Sequence, residues 1–278
     1  MERAIKFLQE NKEVALATVE NDKPKIRVFQ IMKMEGTNLY FATGYQKGVY
    51  RQLTANPAIE VLAMKGDLSV RMAGKAIFDV DDATCQEIYQ QNPVLPRLYA
   101  DYKKLAYFRL ELHKLDYYDL KPTPPLFESY DFSPAALDMG KDETTINTDD
   151  RTLTIPIGLR QVIDKMMHTP PTPAEMETAI NEVEDAIATI GSATPIMMNI
   201  STSDLWVRKA VKLYDENATM PYTLTKQALE EIFSRLGFII SGRPANTDQL
   251  PSEPEFAATL LMLREVMNHL KMEAMQVE

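Results

Sequence analysis

The chain has one cysteine, Cys85, and one tryptophan, Trp206, among its 278 residues. A single thiol excludes an internal disulfide and any zinc cage built on cysteines. Histidine is nearly as scarce: His113, His168 and His269 are scattered without the spacing that metal ligation requires. No Ser/His/Asp or Cys/His arrangement for nucleophilic catalysis can be assembled from so few residues. Cys85, on a helical face beside Ile88, reads as a small core residue rather than a nucleophile. No apolar run approaches the length needed to cross a bilayer, and no basic, apolar leader is visible, so the expectation is a cytoplasmic protein without membrane contact. A basic stripe interleaved with aromatics is also missing, and nucleic acid is not an expected partner. No internal repeat is found.

What is present is an apolar fraction of 45%, enough for a core in each of two ordinary domains. The net charge of −10 is unevenly spread. Residues 1–130 hold 18 Lys and Arg against 17 Asp and Glu, a balance of +1, which leaves 12 against 23, or −11, for residues 131–278. The two halves therefore differ in kind.

The patterning supports that division. Residues 1–11 put Ile5 and Leu8 on one helical face, after which strand signals dominate. EVALATV, KIRVFQIMKM, NLYFATG, AIEVLAM, DLSVRMAGKAIFDV and LAYFRLELHKLDYYDL alternate or run apolar over strand lengths, with END, MEGTN and KGD as turns between several of them. Such a meander predicts an antiparallel barrel, interrupted by helices at Gly48 to Ala55, at Asp82 to Gln91 with Asp82 as N-cap, and near Pro96 to Lys104. Residues 131–150 are acidic and follow a proline-rich stretch; they read as a linker. From Arg151 the periodicity is helical. Thr172-Pro173-Ala174-Glu175 has the form of a capping box, and Ser252-Glu253-Pro254-Glu255 repeats it. Thr225 opens a helix with Leu229, Ile232, Phe233 and Leu236 on its buried stripe, and PIMMNIS reads as a buried strand leading into a helix from Asp204. The expected fold is α+β in two domains: an N-terminal antiparallel split β-barrel with short helices over 1–130, and a mostly α-helical domain with a few strands over 151–278.

The chemistry gathers at YFATGYQKGVYRQL, where a strand ends and a helix begins. A helix N-terminus presents free backbone N–H groups and the positive end of a dipole, which together favour an anion. Lys47, the hydroxyl of Thr43, and Arg27 and Arg51 within reach would suit a phosphate. The other reading of the same residues is a solvated lysine at a helix start and a threonine at a strand end. Spacing does not choose between them. Glu143, Asp149 and Asp150 form an acidic cluster that fits solvated chain better than a magnesium site. Eleven of the 16 methionines lie beyond residue 130, among them Met166, Met167, Met197, Met198, Met262 and Met267, and read as adaptable core or a partner surface.

The order from Ala4 to Tyr118, centred on ALATVENDKPKIRVFQIMKMEGTNLYFATGYQKGVYRQLTANPAIEVLAM and followed by VRMAGKAIFDVDD, resembles the pyridoxamine 5'-phosphate oxidase-like FMN-binding split barrels, in the nitroimidazole-resistance-type branch. The resemblance implies a homodimer with FMN held in the groove between two barrels. It places Arg27, Val28 and Phe29 along the isoalloxazine edge, Phe41, Ala42 and Thr43 on the neighbouring strand, Lys47 and Arg51 at the phosphate, and Arg71 as a further flavin or phosphate contact. The activity implied is an oxidoreductase that takes electrons from a reduced nicotinamide and passes them to a small molecule. The alternative is a module that holds flavin, deazaflavin or haem without turnover, its second domain serving regulation or partner binding. The arginine and histidine motif that recognises pyridoxamine phosphate has no match here, so oxidation of vitamin B6 is not expected. Residues 151–278 resemble the later part of the exopolyphosphatase and guanosine pentaphosphate phosphatase family, with NISTSD where that family has a glycine-rich phosphate turn.

Overall fold

The computed structural model describes residues 1–148, 151–190, 194–244 and 247–278. It is a mixed α+β structure that divides by internal contacts into two compact units, Met1–Tyr130 and Asp131–Glu278.

In the first unit, α1 (Glu2–Glu10) buries Ala4, Phe7 and Leu8. Strands β1 (Glu13–Glu20) and β2 (Lys23–Gln30) follow, joined through Asn21 and Asp22, both at positive φ. A two-residue connection of that handedness matches the twist of the strands it joins. Then come β3 (Lys33–Glu35), β4 (Asn38–Gly44), α2 (Gly48–Ala55), β5 (Ala58–Lys65), β6 (Leu68–Ile77), α3 (Asp82–Gln91), α4 (Val94–Leu98) and β7 (Leu105–Asp119). The pairings give the order β3-β4-β7-β6-β5-β1-β2, antiparallel throughout. Alternation puts Leu16, Phe41, Val61, Met72 and Phe108 on one face, all fully buried. Cross-strand partners on that face include Leu16 with Val61, Val61 with Met72, and Phe41 with Phe108. Between Ala73 and Gly74 the β6–β7 register shifts. A Cβ at Gly74 would lie 2.0 Å from the Glu111 carbonyl oxygen, so only glycine fits the bulge. His113 occupies the extra position, 3.3 Å from Glu111.

Some expected boundaries move. KIRVFQIMKM breaks into β2 and β3, because Ile31 is buried and the Met32 amide turns to the Tyr40 carbonyl. Asp81 rather than Asp82 caps α3, accepting from the Thr84 amide at 2.9 Å. The helix expected over Pro96 to Lys104 is instead α4 and a 3₁₀ turn at Tyr102–Lys104.

The second unit opens on the later part of β8 (Leu126–Met139), then β9 (Thr144–Thr148) and β10 (Thr152–Ile155). Residues 131–148 are therefore largely strand, where the sequence reads as a linker. Acid and proline mask an alternation in which Ala135, Leu137 and Met139 point inward and Leu137 pairs with Ile146. Helices α5 (Leu159–Ile163) and α6 (Pro173–Ala188), strand β11 (Ile196–Thr202), α7 (Leu205–Tyr214), β12 (Tyr222–Thr225), α8 (Lys226–Ile240), α9 (Pro254–His269) and β13 (Ala274–Val277) complete it. Its strands run β12-β13-β11-β8-β9-β10, and α9 lies in the core, buried on nearly every face from Phe256 to Met267. The capping box at Thr172 and Glu175 is formed, and Thr225 caps α8. The second box is not: Glu253, not Ser252, precedes α9, and it makes no side-chain cap bond. Met166, Met197, Met262 and Met267 pack in this core, whereas Met167 and Met198 are exposed. Among the described residues no helix is long and apolar enough to cross a membrane.

Candidate functional site

The first unit carries a cleft of about 370 Å³ lined by Arg27 to Gln30 and Met32, by Ala42 and Thr43 at the end of β4, and by Lys47 and Val49 at the start of α2. Its position follows from the strand order. Strand β2 pairs with β1 on one side only among the described residues, so its other edge offers backbone N–H and C=O groups. Its inward side chains, Arg27 and Phe29, alternate with the outward Val28, which is 75% exposed.

Arg27 is the best-anchored residue of the cleft. Paired across from Leu16, it points along the inner face of the sheet, and its guanidinium donates at 2.7 Å to the Thr18 hydroxyl and at 2.7 Å to Gln52 Oε1 on α2. Thr18 itself donates to the same Gln52 oxygen at 2.7 Å. This triangle fastens α2 to β1 and β2 and so sets one wall of the cleft. Burial pushes the Arg27 pKa down and Glu20 opposes it; a guanidinium keeps its charge in such a setting.

Thr43 supplies the most informative atom. The residue is 3% exposed, and its hydroxyl has no hydrogen-bond partner among the described residues. Leaving a buried hydroxyl unpaired costs on the order of 1–3 kcal/mol, which a bound group accepting or donating at that point would recover. Lys47 caps α2 through its backbone conformation alone, with no side-chain cap bond. Its ammonium lies 6.0 Å from the Tyr99 ring centre and has no carboxylate partner among the described residues. A side chain at Gly48 would meet nothing closer than 3.8 Å, so the first turn of α2 can be approached from outside. A free cation, an unpaired hydroxyl and a helix N-terminus within one cleft are the donor set of an anion site.

Three of the other residues singled out in the sequence lie elsewhere. Phe41 is fully buried, stacked on Phe108 with ring centres 5.3 Å apart and met edge-on by Phe29 at 6.1 Å. Arg51 lies one turn beyond Lys47 and is exposed, its guanidinium 3.1 Å from Glu20. Arg71 points outward from β6, 2.6 Å from Asp116 and 3.4 Å from Glu60. Gln30, Met32 and Val49 join the cleft without having been singled out, and Thr18 and Gln52 act behind it. Gln52 lies within the helix that the sequence predicts over Gly48 to Ala55, but nothing in its spacing marks it as a brace for the cleft. Cys85 donates to the Val80 carbonyl at 3.6 Å, and burial, with Asp82 and Asp81 nearby, pushes its thiol up and keeps it protonated.

In the second unit Asp204 accepts from the amides of Trp206 and Val207 at 2.8 and 3.0 Å, so its carboxylate serves as the cap of α7. Trp206 packs edge-on to Phe256. Glu143 is exposed, and its companions Asp149 and Asp150 lie outside the described residues.

Residues 1–116 match the family model described as Pyridoxamine 5'-phosphate oxidase. No curated protein matches the chain. Among solved structures, a NimC/NimA family protein from Clostridium acetobutylicum is 24% identical, with a TM-score of 0.41 over 46% of this chain and 90% of that one. A pyridoxamine 5'-phosphate oxidase-related, FMN-binding protein from Nostoc punctiforme is 14% identical, with a TM-score of 0.38 over 56% of this chain and 96% of that one. A PPX-GPPA enzyme of Aquifex aeolicus is 14% identical, with a TM-score of 0.43 over 52% of this chain and 53% of its own, so this chain spans about half its length. It is the N-terminal segment, residues 1–116, that carries this chain's match to the pyridoxamine 5'-phosphate oxidase family.

Proposed function

We propose that the first unit is an FMN-binding module and that the protein is a flavin oxidoreductase, taking electrons from a reduced nicotinamide and passing them to a small acceptor. The observation that carries the reading is the pairing of an unpaired buried hydroxyl, Thr43, with an unpaired cation, Lys47, at the open N-terminus of α2. The family match over residues 1–116 supports flavin as the ligand class. Lys47 and the first-turn amides of α2 would hold the phosphate, with Thr43 hydrogen-bonded beside it. The free edge of β2 from Arg27 to Phe29 would meet the ring system through backbone groups. Arg51 joins the phosphate when its pair with Glu20 opens. When bound, the flavin supplies the hydride and single-electron chemistry. Among the described residues the cleft is lined by no carboxylate, histidine or cysteine, and the protein's own part is to bind, orient and shield.

The cleft is open on one side, and Val28 belongs both to it and to an exposed apolar row with Ile26, Leu62 and Met64. A second copy of the chain is proposed to cover that row and close the cleft, as the resemblance implies.

The test is an absorbance spectrum of the protein as purified, followed by titration with FMN at fixed salt and by assay of dye reduction by reduced nicotinamide. Saturable binding of one FMN per chain is expected, weakened about tenfold by Lys47→Ala, as fits loss of one charge-assisted bond. A protein that ignores FMN, or a Lys47→Ala variant that binds it unchanged, refutes the assignment. Binding without dye reduction would leave a flavin-holding module in place of an oxidoreductase.

A further inference from the structure

A second cavity of about 450 Å³ lies in the first unit and shares no lining residue with the first. Thr43 and Lys47 line the flavin cleft, whereas Tyr45 and Tyr50, two and three residues from Lys47, line this one. Its volume is in the ordinary range for small-molecule sites, about 300–1,000 Å³.

Two independent features point to a ligand. The first is Tyr107 on β7, which is 7% exposed and lines the cavity, yet whose hydroxyl has no hydrogen-bond partner among the described residues. The second is a run of aromatic rings along the wall. Tyr45 meets Tyr50 edge-on at 5.0 Å, and Tyr50 meets Phe78 edge-on at 5.4 Å. Tyr45 and Phe78 remain exposed there, 52% and 38%. Large aromatic rings left partly open around a concavity that also holds an unpaired buried hydroxyl describe a surface completed by another planar molecule.

The remaining polar groups narrow the class of that molecule. Asp82, at the rim, is engaged: its carboxylate accepts from the Tyr102 hydroxyl at 3.0 Å and from Gln86 at 2.7 Å. Lys103 is exposed, with its ammonium 5.7 Å from the Tyr102 ring centre. Cys85 is committed to the Val80 carbonyl. Both charged side chains of the lining, Asp82 and Lys103, are exposed, and among the described residues the one buried polar atom of the lining without a partner is the Tyr107 hydroxyl. Burial holds that phenol protonated, far above the usual tyrosine range, so it can donate a hydrogen bond as well as accept one.

We propose that this cavity is a binding site, separate from the flavin cleft, for a neutral planar aromatic molecule carrying a phenolic or carbonyl oxygen that pairs with the Tyr107 hydroxyl. The inference does not depend on flavin binding.

The experiment is calorimetric titration of the full-length chain with 2-naphthol, a bicyclic phenol, in the absence of FMN and again with FMN in excess. Wild-type protein is expected to bind one equivalent saturably, with the same affinity under both conditions. Tyr107→Phe removes only the hydroxyl, and is expected to weaken 2-naphthol binding about tenfold while the melting temperature of the free protein stays level or rises. The proposal is overturned by the absence of saturable binding, by displacement of 2-naphthol by FMN, or by equal affinity in Tyr107→Phe. A lower melting temperature for Tyr107→Phe also overturns it, since the hydroxyl would then serve a partner within the fold.

Discussion

Replacing Arg27 by methionine separates two roles open to the residue, a contact to flavin and a brace for the cleft. The structure assigns the guanidinium to the brace: two bonds of 2.7 Å, to Thr18 and to Gln52, whose side chains sit in residues only 2% and 8% exposed. A hydrogen bond from a charged donor is worth roughly 1.5–3 kcal/mol when truncated, so two such bonds set an upper range of about 3–6 kcal/mol. Two corrections reduce it. Thr18 still donates to Gln52 after the change, so neither acceptor is left bare, and the desolvation that depresses the Arg27 pKa is relieved. Methionine also keeps most of the apolar stem in place. The expected net loss is about 2 kcal/mol for the free protein. Urea denaturation of the full-length chain, followed by far-UV circular dichroism, measures it, and hydrogen exchange should show the loss of protection concentrated in α2 and β1. Arg27→Lys should recover less than half, because one ammonium cannot serve both acceptors in this fork geometry. A loss below about 0.5 kcal/mol, the level of an ordinary surface substitution, with FMN affinity reduced, would refute the reasoning and return Arg27 to the ligand.

Thr43→Val keeps the shape and removes an unpaired buried hydroxyl, so the free protein is expected to gain about 1 kcal/mol, seen as a melting temperature a few degrees higher. FMN retention by the same variant should fall roughly five- to tenfold; a drop in melting temperature would show that the hydroxyl has a protein partner. Glu175 gives a dependence on pH. The Thr172 amide first, and then His168, hold its carboxyl down from 4.5 to about 2. A folded-state value below the unfolded one means stability that is present above about pH 4.5 and lost as the pH falls towards 2. Urea midpoints of wild type and Glu175→Gln should therefore converge across that interval, and a constant difference between them would contradict the assignment.

The strands of the first unit were legible because each has one buried face. In β5, for example, Ile59, Val61 and Ala63 alternate with exposed neighbours, and the period of two survives any ignorance of the partner strand. Helix starts were legible where a side chain reaches its own backbone within three residues, as Thr172, Asp204 and Thr225 do. The strands at 131–148 were not, because a proline and an acid, Pro134 and Asp138, stand at outward positions, another acid, Asp131, is itself buried, and the inward Ala135, Leu137 and Met139 are too sparse to stand out.

The sequence by itself determined the strands of the first unit, their sheet-forming alternation and the clustering of Thr43 and Lys47 at the mouth of α2, since all of these depend on neighbours within a few residues. Tertiary structure alone decided what each functional group is free to do. Arg27 is held by Thr18 and Gln52, Arg71 by Asp116 and Arg51 by Glu20, whereas Lys47 and the hydroxyls of Thr43 and Tyr107 are left to others. Those distinctions rest on pairings between positions 9 to 45 residues apart, set by strand order and register, and no local pattern encodes which donor will meet its acceptor.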